Sequence, residues 1–551
     1  MFTRVSRSGG RAYLQLVEAY RNAAGSPRQR LVANLGRLDQ LSEKELAPLI
    51  GGLERAVGRT PSGPAKVEFE AAKAFGNLYA LHQLWRELGL ADALTRALRS
   101  SRRQFDASAL IRAMVFNRLC APDSKLGVLR WLDTVAMPDA PAAITHDQLL
   151  RAMDALMDRI EPVERAVAAQ LRPLLDDTLS VVFYDLTTIR IHGTGQVADD
   201  LRAFGLSKDT GGIARQFVLG VIQTADGLPI AHQVHAGNVG EVSTLLPMIE
   251  GTLKRYPIRR VVLIADRGLL SLDNLAQIEA LKTAKGQPLE YILAVPGRRY
   301  REFADLIAAT PLSDGLAETR WQARRLVIAH DEDRAQAQQA ARKATIAEIE
   351  AEGERMAQRL DQADAGLPLK GRKSNDRRAY LRFSEAVKAA GLSRILKADL
   401  DAERFNFELD EAALAAAEQL DGKLLLVTNT DLEPAEVVAR YRSLADIERG
   451  FRVLKGDIDI APVYHRLPER IRAHALICFL ALVLYRVMRQ RLRANHSNLS
   501  PRRALALLRQ LQQHHVVINQ TNVTGTGRVT AEQRDLFKAL NLSAPTADTA
   551  V

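Results

Sequence analysis

Two stretches of the chain have the same form: VVFYD, residues 181–185, and VLIAD, residues 262–266. Each is a continuous apolar run closed by an aspartate, the pattern of a strand buried within a sheet. The segments around them repeat this grammar. LSVVFYDLTTI gives a strand ending at Asp185. RQFVLGVIQTADGLPIAHQVHAGN gives a hairpin turning at Ala225-Asp226-Gly227, and EVSTLLPMIEGTLKRY a helix. RRVVLIADRGLLS gives a second strand, ending at Asp266, before another helix and the strand EYILAVP. The order strand, hairpin, helix, strand, helix, strand predicts a mixed α/β sheet. In such sheets functional groups collect at the carboxyl ends of strands, where rigid elements open into loops.

The flanking segments read differently. RAYLQLVEAYRN and RQRLVANLG predict two strands around a Gly-Ser-Pro turn, followed by the linker GRTPSGPAK. From 67 to 178 the pattern is helical. Leu78, Leu81, Trp85 and Leu88 recur at helical spacing, and Gly89 is placed to stop that helix. Residues 300–425 interrupt the sheet pattern with a strand in TRWQARRLVIAH and a charged helix from about Asp333 to Ala365. Ile346, Ile349, Gly353, Met356 and Leu360 form a narrow seam on that helix, as in a helical hairpin or short coiled coil. Pro434 suits the first turn of a further helix. ALICFLALVLY, residues 475–485, is too short to span a bilayer and predicts a buried core helix.

Charge narrows the partners. The chain has 76 basic and 65 acidic residues, a net charge of +11, which favours a polyanion and nucleic acid first. Its two cysteines, Cys120 and Cys478, exclude a disulfide framework or a Cys-based zinc site and point to a reducing cytoplasm. The N-terminus has no apolar signal-peptide core.

The helix YRSLADIERGFRVLK poses a problem. Seven residues return a helix to within about 20° of the same face, so Tyr441, Glu448 and Lys455 share a stripe bordering Leu444 and Phe451. A carboxylate beside a packing face needs a cation. A salt bridge to Arg452 or Lys455 would serve. A metal shared with Asp185 and Asp266 explains more. Mg²⁺ takes carboxylates, phosphate oxygens and water, and two such ions clamp the attacking and leaving oxygens of an in-line phosphoryl displacement. Three carboxylates and one phosphate would balance two Mg²⁺, with Lys455 and Arg449 holding flanking phosphates and Tyr441 orienting the strand. The basic groups PGRRYR, which contains Arg298, and KGRKSNDRR are further DNA-contact candidates and equally suit solvated loops.

The order Asp185, Asp266, then Glu448 within Y-x2-R-x3-E-x6-K resembles the DDE transposases of bacterial insertion sequences, and within them the group with the Y-R-E-K signature. The resemblance extends through FYDLTT, LRAFGLSKD, GNVGEVSTL, IADRGLLS, the opening YLQLVEAYRN and RQRLVANLGRLD, and VYHRLPERIRAHALICFLALVLYRVM. The signature's arginine falls on Leu444, with Arg442 and Arg449 nearby.

The resemblance implies an α/β fold with a ribonuclease H-like mixed-sheet catalytic core, interrupted by an insertion domain. It implies Asp185 on the first strand, Asp266 on the fourth, and Glu448 on the helix after the insertion, all three being catalytic metal ligands. The chain then divides into a small β-rich unit, 1–66, and a helical domain, 67–178, whose arginines suit DNA binding and which equally suits an ordinary helical domain. The core follows in two parts, 179–299 and 431–495, around an insertion at 300–430, and 496–551 is a helical segment and tail. The implied activity is Mg²⁺-dependent cleavage at the element's ends and strand transfer into target DNA, with Mn²⁺ able to substitute. The implied setting is a homodimer on double-stranded DNA (terminal inverted repeats and target) in the bacterial cytoplasm at the nucleoid, with no membrane.

The alternatives are a DNA-binding protein that keeps the fold without catalysis, which the intact acidic triad opposes, and a ribonuclease H-like DNA nuclease. FYDLTT lacks the second aspartate of a phosphatase, since Thr187 stands there, and Gly193–Gly195 is too slight for a dinucleotide site. His232 and His235, three apart on a strand, fall on opposite faces and suit structural or substrate contacts better than zinc.

Overall fold

A computed structural model describes residues 1–546 apart from 59–66, 100–103, 142, 175–180, 194–199, 207–211, 225, 240–246, 253–255, 257–261, 266–274, 281–285, 287, 369–374, 402 and 519. At 43, 181–185, 206, 265, 277–278 and 444–449 it describes the backbone alone. The chain forms two compact units, one of residues 1–72 with 513–525 and a larger one of 73–512 with 526–551.

In the smaller unit, β1 (Phe2–Ser8), β2 (Arg11–Arg21) and β3 (Pro27–Arg37) make an antiparallel sheet. The expected pair of strands is β2 and β3. Helix α1 (Glu43–Ala56) follows, started by a capping box between Ser42 and Glu45. Residues 67–74, expected to be helical, form β4 (Val67–Ala74), where alternating exposed charges favour a strand.

The larger unit begins with helices: α2 (Gly76–Glu87), α3 (Leu90–Ala97), α4 (Ala107–Cys120), α5 (Lys125–Asp133), α6 (His146–Asp158) and α7 (Ile160–Leu171). Leu78, Leu81 and Trp85 are buried as their spacing required. Gly89 ends α2 at φ +65°, with Gln170 occupying the space a Cβ would need.

The strands follow: β5 (Val181–Arg190), β6 (Ala203–Leu206), β7 (Ile213–Thr224), β8 (Pro229–Ala236), β9 (Val262–Ala265) and β10 (Glu290–Ala294). The predicted hairpin is β7–β8, turning at Gly227 with φ +77°. The helix expected next is described at 247–252, and the one before β10 as α8 (Leu275–Glu279).

After α9 (Ala304–Ala309), TRWQARRLVIAH makes two strands rather than one, β11 (Leu316–Trp321) and β12 (Arg324–His330). Gln322 and Ala323 turn the chain between them at positive φ. Helix α10 (Glu332–Asp364), α11 (Asp376–Ala389), β13 (Leu396–Asp401), β14 (Arg404–Leu409) and α12 (Glu411–Glu418) form a separate cluster. There the seam of α10 packs on Phe383 of α11 and Phe405 and Phe407 of β14, so helix and hairpin together meet it. The chain then returns through β15 (Lys423–Thr428).

Among the described residues the central sheet runs β11-β12-β15-β10-β9-β5-β7, with β6 and β8 both on the outer side of β7. Only β10–β9 and β9–β5 are parallel. The sheet therefore does not stop at residue 299, because β11, β12 and β15 continue it; the part that leaves it is the α10–α12 cluster.

Three helices then cross the sheet region: α13 (Pro434–Arg442), α14 (Leu444–Gly456) and α15 (Pro468–Ala494). Pro434 opens α13 as expected. By length and composition α15 could cross a membrane, yet 94% of its most apolar stretch is buried inside the protein. Its Leu476, Leu480, Leu484 and Cys478 are almost inaccessible, which makes it the predicted core helix, longer than its apolar run. Helix α16 (Pro501–Leu508) follows, then β16 (Gln512–Ile518), β17 (Thr521–Thr526) and α17 (Ala531–Ala539). This end is thus not helix and tail alone, since β17, β16 and β4 form a sheet.

The two faces of the central sheet have separate cores. Leu186, Val218 and Ile222 lie in one, with Leu263, Leu293, Met248 and Ile249. Ile189, Phe217, Leu219 and Val221 lie in the other, with Phe451 and Leu454 of α14 and the apolar length of α15. Val262, Ile264, Ile292 and Leu426 pack with Val437 and Val438 of α13. Strand alternation alone accounts for this sorting.

Candidate active site

Asp185 is not at the end of its strand. β5 continues five residues further, paired antiparallel to β7 through Arg190, and Asp185 stands opposite Val221. On its other side, β5 pairs in parallel with β9 from Val181↔Val262 to Phe183↔Ile264. Asp185 therefore comes two residues beyond the last described pair with β9, while still held by β7. The apolar run ends at the aspartate, but Leu186 and Ile189 each find a core on their own face, and β7 keeps Thr187 and Thr188 buried in the ladder. Asp266 follows Ala265, the last residue of β9, and lies outside the described residues.

Glu448 lies on α14, whose backbone packs on β5. The expected single helix from Tyr441 to Lys455 is broken at Ser443 (φ −66°, ψ −14°), whose hydroxyl donates to the Arg440 carbonyl at 2.7 Å. Such back-bonding competes with helix continuation. Tyr441 thus belongs to α13, half-buried against the Val437–Val438 core, and the seven-residue argument joins Glu448 to Lys455 only. Lys455 is half-buried, and Arg452 is exposed. Arg442 is exposed and pairs with Asp331 at 3.5 Å. Leu444 and Arg449 lie in the stretch described by backbone alone.

Gly450 fixes how closely α14 approaches the sheet. A Cβ there would lie 2.9 Å from Gln223 Oε1 on β7 and 2.9 Å from Arg486 Nη2 on α15. Gln223 is fully buried, and its amide has no hydrogen-bond partner among the described residues. Gln223 is opposite Phe183 in the β5–β7 register, two pairs along from Asp185 and so on the same face. Neither Gln223 nor Arg486 stands out in the sequence, because an amide and a guanidinium in apolar elements look like ordinary surface residues until the packing buries them.

Arg298 is exposed at the edge of a cleft of about 460 Å³ that also holds Arg301, Arg334, Arg394 and Lys423. Arg342 in the same cleft is neutralised by Asp421. The rest of the cleft is cationic and suits a phosphate backbone. KGRKSNDRR lies mostly outside the described residues. His232 stacks on Phe479 at 4.7 Å. Arg202, fully buried, hydrogen-bonds Asp200 and holds its carboxyl down at about 2, with Arg215 on the same carboxylate. That network ties β6 to β7. Among the described residues, no group of three metal-ligating side chains occurs. The expected ligands are in stretches whose side chains are not described.

A family model for the transposase DDE domain matches residues 176–484, more than half of the chain. The chain belongs to the DDE transposases. A second model, the N-terminal domain of IS1634 family transposases, matches residues 2–65 and identifies this transposase as that of an insertion sequence. Among curated proteins no match was found. The transposase acts on DNA, and its family generally uses divalent metal ions. The DDE match begins before β5 and ends within α15, so it takes in the strands of both aspartates and the Glu448 helix.

Proposed function

We propose that Asp185, Asp266 and Glu448 are the acidic triad of this transposase, on a ribonuclease H-like core made of β5, β7, β8, β9 and β10 with α13 and α14. The packing of α14 on β5 carries this reading, because it brings helix and strand together across more than 250 residues of sequence. Register supports it. Position 185 follows Phe183, and position 266 follows Ile264, by two residues each, and Phe183 and Ile264 are partners. The insertion is then the α10–α12 cluster, carried on a sheet extension of β11, β12 and β15.

Three carboxylates are a donor set for hard divalent cations, and Mg²⁺ fits, with Mn²⁺ as substitute. Two such ions would polarise the phosphoryl oxygen and lower the pKa of the attacking water. The chain's own residues do the rest. Asp185, Asp266 and Glu448 would hold the ions. Lys455 and Arg449 would neutralise flanking phosphates on α14, and Tyr441 and Arg442 would border the strand from α13. Arg298 and its cleft would hold a second DNA segment. Hydrolysis at each terminal inverted repeat frees a 3′-OH, which then attacks a target phosphodiester. Two ends require two active sites, hence a homodimer on DNA, working at the bacterial nucleoid in the cytoplasm. Leu444 leaves the signature arginine's role to Arg442 or Arg449.

The test is cleavage of a duplex carrying the element's end by Asp185→Asn, Asp266→Asn and Glu448→Gln. Each should cut more than the roughly 100-fold slower expected of a lost outer-shell partner, with DNA affinity largely kept. Near-normal strand transfer by Glu448→Gln would remove it from the triad.

A further inference from the structure

The larger unit encloses a second cationic cavity, of about 940 Å³, between the end of α4, the start of α5, α6, the loop 459–467 and the start of α15. Lys125 and Arg118 line it, 6% and 4% exposed. Lys125 Nζ lies 3.5 Å from His474 Nδ1. His474 Nε2 is 3.0 Å from the Ile460 carbonyl, so the ring proton sits there and Nδ1 offers its lone pair to the ammonium. Arg118 donates to the Asp459 carbonyl at 3.0 Å, and its Nε has no partner among the described residues. His465 and exposed Arg466 add to the same wall, and Arg470 is paired with Asp154. The carboxylates of Asp123 and Asp459 also border the cavity. Neither forms an ion pair with Lys125 or Arg118 among the described residues, and the charged group acting on Lys125 most strongly is Arg118, a like charge.

Two buried cations side by side are costly unless an anion joins them. The cavity leaves room for one, and α5 begins at its wall with Ser124 capping the helix, an end that favours negative charge. The wall loop leaves the C-terminus of α14 directly. From Glu448 to Gly456 the helix rises about 12 Å, which spans only about four phosphates of a DNA strand. We propose that this cavity is a phosphate-binding site that takes one backbone phosphate of bound DNA, a few nucleotides from the scissile bond. It rests on the transposase acting on DNA, and its position relative to the scissile bond rests on Glu448.

The experiment measures the affinity of the full-length protein for a duplex carrying the element's terminal sequence, across a KCl series. Lys125→Met should make the slope of log K against log salt shallower by about 0.9, the value of one phosphate contact. A neutral methylphosphonate, scanned along the duplex, should reveal one position at which the wild type is weakened and Lys125→Met is not. Arg466→Gln, at the exposed rim, should shift the slope in the same direction and guards against misfolding of the first variant. An unchanged slope in both folded variants overturns the site. Lys125-dependent thermal stabilisation by inorganic phosphate, with the DNA slope unchanged, overturns DNA as the source of the phosphate. Glu448→Gln should keep the wild-type slope, so failure of the triad and failure of this site are distinguishable.

Discussion

Lys125→Met should stabilise the protein while weakening its hold on DNA. Burial pushes the Lys125 ammonium down from 10.5 to about 7, aided by Arg118 and opposed weakly by Cys478. His474, also held neutral by burial and by Lys125, faces it from α15, and His465 stands on the adjoining loop, pushed down to about 3 by burial. The unfolded chain therefore binds this proton more tightly than the folded one, and native stability rises with pH between about 7 and 10.5. Below that window the full penalty applies, and above it none. With 1.36 kcal/mol per tenfold change in proton affinity, the penalty is about 4 kcal/mol at pH 7 and about 2 kcal/mol at pH 9. Methionine has a similar length and no charge, so the variant escapes that penalty. The assay is denaturant unfolding without phosphate or DNA, followed by tryptophan fluorescence. Trp85 and Trp131 both lie in the helical core beside the cavity's elements. The variant's advantage should approach 4 kcal/mol at pH 7 and shrink by about half at pH 9. A variant less stable than wild type at pH 7, or an advantage independent of pH, would refute an uncompensated buried cation.

Two further outcomes follow from packing and charge. Gly450→Ala places a methyl group against Gln223 and Arg486; overpacking of about 1–3 kcal/mol should push α14 from the sheet, so cleavage per bound complex should fall while DNA affinity is kept, read by single-turnover cutting. Arg298→Ala combined with Arg301→Ala should make the salt slope of target-DNA capture shallower by up to about 1.8 if both touch phosphates, leaving cleavage at the element's end unchanged; a loss of end cleavage instead would place the cleft on the other DNA.

Much of this molecule could be read from local pattern. Apolar runs gave β5, β9 and β10, the Ala-Asp-Gly turn gave the β7–β8 hairpin, and the seam of α10 and the first-turn Pro434 appeared where expected. These features depend on short-range periodicity and turn chemistry, which a single sequence displays directly. The readings that failed depended on partners. The strand at Asp185 runs on because β7 pairs with it, and no residue near Asp185 announces β7. The helix at Tyr441 breaks because Ser443 bonds back to Arg440, a choice that the seven-residue spacing does not register. Residues 316–330 join the central sheet through β15, about a hundred residues later, and β4 finds β16 at the far end of the chain.

The sequence by itself determined the chemistry on offer: two aspartates after apolar runs, a glutamate on a helix, and an excess of positive charge. Side-chain identity and spacing carry that information without folding. Tertiary structure decided which groups meet. It set α14 on β5, closed Gln223 and Arg486 around Gly450, and buried Lys125 beside Arg118 with no ion pair to either among the described residues. Burial is a property of the packed whole, and it turns an ordinary lysine into a charge that needs an anion.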